Sequence, residues 1–206
     1  MSETPWLAKA KRLQAIASTG LSFCKDEFDR ERYEEIAAIA NAMLADLADV
    51  PVERIRDLVS DFAKGYATPK IDVRAALVEN SKILLVREKS DGLWTLPGGF
   101  ADVGLSASEN VVKEVQEEAG IAVSVHQLYS VRHKSSYEPD ARDFYKMFFL
   151  CRRTGALTLT SGLETSEVSF FDRDRLPPLS RSRSIERDVE LAFEFNDGRQ
   201  TIAVID

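Results

Sequence analysis

The sequence predicts an α+β fold, an α/β/α sandwich with a mixed β-sheet, preceded by a small three-helix N-terminal domain. Residues 1–65 carry apolar residues at helical spacing, and strand patterns begin directly after them. The later elements run in the order strands, one helix, strands, one helix. This order lacks the regular alternation of a doubly wound fold and suits a mixed sheet with helices on both faces. We therefore divide the chain into a helical N-terminal domain, 1–65, and a second domain, 66–206.

Three helices are predicted in the N-terminal domain. The first is expected to stop at Gly20, because glycine favours helix C-termini. Asp26 or Asp29 can cap the second, and Pro51 stands near the start of the third, where its missing N–H is tolerated. Three short helices bury too little apolar surface to be stable alone. They must pack on the rest of the chain, on a second subunit, or on both, and a homodimer is one expectation.

Short strands and turns dominate the second domain. Residues 71–79 alternate in part, and Asn80 and Ser81 turn the chain into an apolar strand over 82–87, which is typical of a hairpin. Near the C-terminus, Ser184 can cap a last helix.

Composition and charge narrow the class of protein. The net charge is −7, and residues 1–70 carry 10 Lys/Arg against 12 Asp/Glu, which argues against a nucleic-acid-binding surface. Cys24 and Cys151 stand far apart and indicate a reducing compartment rather than a disulfide scaffold. No signal-peptide pattern or membrane-spanning apolar run is evident. We therefore expect a cytoplasmic protein without a membrane segment.

The stretch PGGFADVGLSASENVVKEVQEEAGI, residues 97–121, is the strongest functional signal. It predicts a glycine turn, a loop and a helix that ends at Gly120. Glu114, Glu117 and Glu118 are spaced i, i+3, i+4 and so share one face of that helix. Because three carboxylates on one face repel one another, the pattern indicates a bound cation, and hard oxygen ligands suit Mg²⁺ or Mn²⁺.

This stretch resembles the Nudix box, the signature of hydrolases that cleave nucleoside diphosphates linked to another group, X. Counted from Gly99, the chain matches the family pattern at Glu114, Val115, Glu117, Glu118, Gly120 and Ile121. It departs from the pattern at Leu105, where the family has a Glu, and at Lys113, where the family has an Arg. Three stretches outside the box (19–35, 65–75 and 91–104) resemble a subgroup with a helical N-terminal domain that acts on X-linked nucleoside diphosphates, including CDP-choline.

The resemblance implies a small-molecule nucleotide substrate and roles for the box residues. Glu114 and Glu118 would clamp one divalent ion, and the backbone carbonyl of Gly98 would be a further ligand. Glu117 would hold a second ion or accept a proton from water, and Glu118 would be essential for turnover. Gly99 belongs to the glycine turn that presents backbone to the substrate.

Candidate residues outside the box are less specific. Glu164 and Glu167 lie where other Nudix enzymes can supply a late-loop carboxylate as general base, although either one alone is more typical of surface charge. Glu167 is taken as the catalytic candidate. Arg74 is expected to bind phosphate bidentately. His133 is a weaker candidate for a base, and Trp94 is expected to lie in the core or the cleft wall.

The two departures from the box affect a structural ion pair of the family. Leu105 cannot form an ion pair, whereas Glu109 precedes Lys113 by one helical turn and is expected to pair with it. Leu105 would then pack on the start of the helix. On this interpretation the metal ligands survive and the loop is held differently.

Two classes of function follow from these residues. The first is metal-dependent hydrolysis of a nucleoside diphosphate linked to X, with CDP-choline or ADP-ribose as candidate substrates. The alternative is a catalytically weakened sensor or binding module with the same fold, which loss of the first Glu at Leu105 would favour. An enzyme that processes RNA is disfavoured by the acidic balance.

Overall fold

The computed structural model describes residues 4–49, 51–52, 67–102, 104–134 and 143–206, which contain four helices and eight strands. The described residues form two units, one within 1–70 and 134–144, and the other within 71–133 and 145–206. The predicted domain boundary between residues 65 and 66, and nearly all of the predicted third helix, lie outside the described residues.

The first unit contains helices α1 (Pro5–Phe23) and α2 (Glu27–Ala48). Asp26 caps α2 as expected, since its side chain accepts hydrogen bonds from the backbone N–H groups of Phe28 and Asp29. The expected stop at Gly20 is wrong, because α1 continues to Phe23. Gly20 instead allows close helix packing: a Cβ atom there would lie 2.4 Å from the ring of Tyr33 on α2.

The second unit is built on one eight-stranded sheet. Its strands are β1 (Lys70–Glu79), β2 (Lys82–Glu88), β3 (Trp94–Thr95), β4 (Gly98–Phe100), β5 (Val123–His133), β6 (Phe144–Arg153), β7 (Thr165–Asp172) and β8 (Val204–Ile205). The main path runs β3-β2-β1-β6-β5-β8, while β4 pairs with β1 and β7 with β2. The hairpin of β1 and β2 is antiparallel, as expected, whereas β8 lies parallel to β5. The sheet is therefore mixed, as predicted.

Two further helices, α3 (Ala107–Ala119) and α4 (Glu186–Asn196), cover the sheet. Val73, Ala75 and Leu77 of β1 belong to the core that contains α3, whereas Ala76 and Val78 belong to the core that contains α4. Because successive side chains of a strand point to opposite faces, the two helices lie on opposite faces of the sheet. This is the sandwich that the sequence predicts.

The ends of α3 and α4 differ in how well the sequence predicted them. Ser106 and Glu109 form a reciprocal capping box at the start of α3, and Gly120 ends the helix in the left-handed conformation, as expected. Ser184 does not cap α4. Its hydroxyl lies 2.9 Å from the Thr95 hydroxyl, and the backbone N–H of Ile185 donates to Asp188.

Among the described residues, no helix combines the length and the apolarity that crossing a bilayer would require.

Candidate active site

The box residues line a cavity of about 840 Å³ in the second unit. Its wall combines the start of β1, the end of β2, the glycine turn, one face of α3 and the segment 161–164. The lining residues are Asp72, Arg74, Glu88, Gly98, Gly99, Phe100, Lys113, Glu114, Glu117, Glu118, Ser161, Gly162, Leu163, Glu164 and Arg183. The three predicted carboxylates of α3 and the two predicted glycines are therefore brought together.

The glycine turn packs directly on β1. Gly98 pairs with Arg74 in the antiparallel register of β4 and β1. Its φ of 142° is rare for residues with a side chain, and a Cβ atom at Gly98 would lie 2.0 Å from the carbonyl oxygen of Val73. Only glycine fits here, and the close approach brings the backbone of the turn to the cavity.

Glu118 connects α3 to this turn. Its Oε2 accepts a hydrogen bond of 2.9 Å from the backbone N–H of Gly98, and the residue is 7% exposed. Burial, the largest cause, together with the nearby charges of Glu114 and Glu88, raises the pKa of Glu118 to about 8, against the opposing effects of Arg74 and the Gly98 N–H. A buried carboxyl of this kind favours a cation beside it.

Glu114 and Glu117 occupy the same helical face with different partners. A Cβ atom built on Gly99 would lie 3.1 Å from Oε1 of Glu114, so this carboxylate contacts the glycine turn. Burial raises the pKa of Glu114. Glu117 Oε2 instead lies 3.1 Å from Nζ of Lys113. Within the described part of the chain, no three His, Cys, Asp or Glu side chains form a ready-made metal cluster.

Lys113 does not pair with Glu109, so that expectation is wrong. Its Nζ lies 3.0 Å from Oδ2 of Asp102 in the loop before α3, and it also bonds Glu117. The hydrogen bonds to Asp102 and then to Glu117 raise the pKa of Lys113 above its ordinary value. Glu109 is engaged with Ser106 in the capping box. The loop and α3 are thus joined by an ion pair, but with Asp102 as the acid.

Arg74 is held by other groups of the cavity wall. It is 4% exposed, its Nε and Nη2 bond the two oxygens of Asp72 at 2.8 and 2.9 Å, and its Nη1 donates to the Leu96 carbonyl. Burial alone would lower the pKa of Arg74, but Asp72 and then Glu118 and Glu88 raise it overall. Arg74 is expected from the sequence to bind phosphate bidentately, but in this structure its bidentate partner is Asp72. Arg74 also holds the Leu96 carbonyl, just before the glycine turn.

Asp72 also contacts a second buried cation, on strand β6. Lys146 of β6 lies 3.2 Å from Asp72, and burial lowers the pKa of Lys146 to about 8. Lys146 stands directly opposite Arg132 of β5, which bonds both oxygens of Asp188 on α4 at 3.0 and 2.7 Å. Lys146 thus shares Asp72 with Arg74, whereas Arg132 pairs with Asp188.

Of the late carboxylates, Glu164 lines the cavity, whereas Glu167 is not among the described lining residues. Oε1 of Glu167 lies 2.7 Å from Nη1 of Arg87 on the exposed surface of the sheet. His133 is likewise absent from the described lining, and its ring lies 5.7 Å from that of Tyr145, tilted by 56°. Trp94 packs against Phe171 beside the α4 core.

Glu88 and Arg183 also line the cavity, although no sequence pattern marks either residue. Glu88 is 5% exposed at the end of β2, where the pairing with β7 shifts register between Arg87 and Glu88. Nε of Arg183 lies 3.2 Å from Oε1 of Glu88, and Nη1 lies 2.9 Å from Asp91. Glu88 and Arg183 are brought together by the fold from distant parts of the chain, and no local sequence pattern indicates such a contact.

Comparison with known proteins identifies the family. Residues 69–191, more than half of the chain, match the NUDIX domain family model. The chain belongs to the Nudix hydrolase family. Residues 4–59 match a second family model, which is described as a UDP-X-like, N-terminal oligomerisation domain. The resemblance drawn from the box is therefore confirmed.

Two of the proteins similar to this Nudix hydrolase match it over at least 94% of its length. YjhB of Bacillus subtilis (strain 168), provisionally named as an ADP-ribose pyrophosphatase, is 47% identical over 195 residues, which are 94% of this chain and 93% of that protein. The crystal structure of a UDP-X diphosphatase matches with 34% identity and a TM-score of 0.64, and the match covers 100% of both chains. An ADP-ribose pyrophosphatase from Streptococcus suis 89-1591 is 40% identical with a TM-score of 0.62, over 68% of this chain and 100% of that chain. The Nudix fold is thereby confirmed.

Proposed function

We propose that this Nudix hydrolase cleaves the pyrophosphate bond of a nucleoside diphosphate linked to X and releases a nucleoside monophosphate and a phosphorylated X. One observation carries the proposal: Glu114, Glu117 and Glu118 line one cavity with the glycine turn, and Glu118 is bonded to Gly98 of that turn. ADP-ribose, UDP-linked compounds and CDP-choline are the substrates to test. The names of the relatives support the first two, and the resemblance of the subgroup supports the third.

The charges of the cavity support a divalent cation, Mg²⁺ or Mn²⁺. The described lining contains six carboxylates against three cationic side chains, Arg74, Lys113 and Arg183. Each of the three cations already pairs with a carboxylate. A substrate with several phosphate charges would be repelled by this lining unless cations entered with it. Carboxylate and backbone carbonyl oxygens are the donors that these ions prefer, so the residues present fit the group.

Glu114, Glu118 and the carbonyl of Gly98 would hold the ion, and Glu117 would hold a second ion. When bound, such an ion neutralises phosphate charge and lowers the pKa of a water molecule. Glu118 would give up its bond to the Gly98 N–H, and Glu117 its bond to Lys113. Gly99 would present backbone to the phosphates.

The general base is assigned to Glu164 rather than to Glu167, because only Glu164 is among the described lining residues. In the reaction, the oxygen of a water molecule forms a bond to one phosphorus as the bond between that phosphorus and the bridging oxygen breaks. The bridging oxygen leaves with the other phosphoryl group, and the carboxylate of Glu164 takes the proton of the water.

The proposal is tested with purified protein, each candidate substrate and either Mg²⁺ or Mn²⁺, by chromatography of the products. We expect a monophosphate and a phosphorylated X in equal amounts, and a loss of turnover of at least about 100-fold in Glu118→Gln. Glu190→Gln, on the exposed side of α4, is the matched control and should behave as the wild type. Binding of a nucleotide without turnover of any substrate would favour the sensor alternative.

We also propose that the protein is a homodimer assembled through its N-terminal unit. The described helices α1 and α2 expose large apolar side chains, including Trp6 (62%), Phe23 (68%) and Phe28 (69%), which supports a covering partner. The match of residues 4–59 to an oligomerisation domain supports the same assignment. Light scattering at micromolar concentration should give twice the chain mass of 23.0 kDa, and a monomeric mass would contradict the dimer.

A further inference from the structure

We propose that Gly162, Thr165 and Lys89 are positioning residues that hold the backbone around Glu164 against α3, so that the Glu164 carboxylate faces the cavity. This inference rests on the proposed function, in which Glu164 accepts the proton of the attacking water. It goes beyond that assignment by naming the residues through which the base is held in place.

Gly162 fixes one end of the segment on α3. A Cβ atom there would lie 2.0 Å from the carbonyl oxygen of Glu117 and 3.3 Å from Cα of Glu118. The obstacle is helix backbone, which cannot rotate away as the end of a side chain can. The absence of a side chain at residue 162 therefore lets the segment lie on the turn of α3 that carries two of the box carboxylates.

Thr165 joins the same turn of α3 to the other end of the segment. Its Oγ1 donates to the carbonyl of Glu118 at 2.9 Å and accepts from the backbone N–H of Gly162 at 2.8 Å. The residue is fully buried. One hydroxyl thus satisfies a carbonyl near the helix end, which would otherwise lack a partner, and closes the loop from residue 162 to residue 165.

Lys89 holds the segment from the opposite side. Its Nζ donates to the carbonyls of Leu163 at 2.9 Å and Gly162 at 3.3 Å, and its backbone N–H donates to the carbonyl of Glu164 at 2.9 Å. Lys89, which directly follows β2, thus donates hydrogen bonds to the carbonyls of all three residues 162–164.

These backbone contacts matter because the segment has little apolar anchoring of its own. Leu163 is 95% exposed, and Ser161 and Glu164 are also exposed. The negative charge of Glu164 also contributes, after burial, to raising the pKa of Glu114 and of Glu88. Mutual repulsion therefore favours movement of Glu164 away from the cavity, and the contacts of Gly162, Thr165 and Lys89 oppose that movement.

A double-mutant cycle separates positioning of Glu164 from a merely structural role. Thr165→Val removes the hydroxyl at nearly constant volume, and we expect kcat/KM to fall by about 10- to 100-fold because a base displaced by a fraction of an ångström loses its alignment. Thr165→Ser keeps the hydroxyl and should restore most of the activity. In a Glu164→Gln background, Thr165→Val should change kcat/KM by less than about twofold, since the base through which it acts is gone.

Ser166→Ala is the matched control, because the Ser166 hydroxyl bonds the carbonyl of Arg87 and not α3. It should leave kcat/KM unchanged. Lys89→Met repeats the cycle at an exposed residue directly after β2, with Lys82→Met at the start of β2 as its control. The test therefore does not depend on whether Thr165→Val folds. Melting temperatures are measured for all variants.

Three results would overturn the inference. Equal losses from Thr165→Val and from Lys89→Met with and without Glu164 would show a structural role that does not act through the base. Wild-type kcat/KM in Glu164→Gln would remove the base and the inference together, while loss of turnover in Glu118→Gln would still support hydrolysis. No turnover in the wild type would contradict the proposed function itself, and this inference with it.

Discussion

Oε2 of Glu118 accepts a hydrogen bond of 2.9 Å from the backbone N–H of Gly98. This bond joins α3 to the glycine turn in the wall of the cavity, although the two residues belong to separate elements of the second unit. The bond gives the Gly98 N–H an acceptor. That acceptor is a carboxylate that burial makes costly to ionise, since the pKa of Glu118 is raised to about 8. The site therefore keeps a buried acid where the proposed ion would bind.

Replacing Glu118 should stabilise the metal-free protein at alkaline pH. The pKa of Glu118 is raised in the folded protein from 4.5 to about 8, so the folded state binds the proton more tightly than the unfolded chain does. Its contribution to stability is complete below about pH 4.5 and is lost as the pH rises through 8. Because Gln cannot ionise, the variant loses no stability at this position over this range. The difference in melting temperature between Glu118→Gln and the wild type should therefore grow by at least about 2 °C, in favour of the variant, as the pH is raised from 5 to 8.

This comparison is made by calorimetry in the presence of a chelator. A parallel pH dependence of the two melting temperatures would show that Glu118 is not perturbed in the folded state.

A second prediction concerns the residue that departs from the box pattern. Lys113 already joins the loop to α3 through Asp102, and Leu105 is 42% exposed. Leu105→Glu would add one exposed ion pair, worth at most about 1 kcal/mol, so kcat should change by less than about fivefold. Steady-state kinetics with the best substrate measures this change. A gain well above that limit would mean that the loss of the first Glu impairs the wild-type enzyme.

Gly98 should tolerate no side chain. Gly98→Ala would bring a Cβ atom to 2.0 Å from the Val73 carbonyl oxygen and displace the backbone N–H that donates to Glu118. Both the melting temperature and the turnover should therefore fall. Gly198→Ala is the matched control, because Gly198 also has a positive φ, of 71°, but nothing lies within 4 Å of its Cβ position. Equal effects of the two substitutions would mean that conformational strain alone, and not the close approach, sets the requirement.

The buried charges beside Arg74 should contribute unequally to stability. Asp72→Asn would leave Arg74 and Lys146 buried without their shared carboxylate, at a cost of about 3 to 5 kcal/mol. Lys146→Met should cost less, because Asp72 keeps both hydrogen bonds to Arg74 and the lowered pKa of Lys146 indicates that its charge is itself unfavourable there. Urea unfolding followed by tryptophan fluorescence compares them, and a larger loss in Lys146→Met would contradict this account.

The sequence predicted what depends on local spacing. The sandwich follows from the order of elements, and alternate residues of β1 join the cores on its two faces. The shared face of Glu114, Glu117 and Glu118 follows from helical geometry. The end of α3 at Gly120 was also readable from sequence.

What the sequence missed depends on partners brought together by the fold. Lys113 bonds Asp102 rather than Glu109, because the capping box occupies Glu109 and the loop returns Asp102 to the helix. Glu167 lies on β7 and pairs with Arg87, whereas Glu164 lies before the strand on a segment fixed to α3. The choice between these two carboxylates therefore depends on contacts that no spacing along the chain encodes.

Product analysis with ADP-ribose, a UDP-linked sugar and CDP-choline, with Mg²⁺ or Mn²⁺ present or removed by a chelator, is the decisive measurement of metal-dependent hydrolysis. We expect at least one substrate to be split into a nucleoside monophosphate and a phosphorylated X, only when the ion is present, and we expect Glu118→Gln to abolish this turnover. Turnover that persists in Glu118→Gln, or tight nucleotide binding with no product from any substrate, would contradict the proposed hydrolysis.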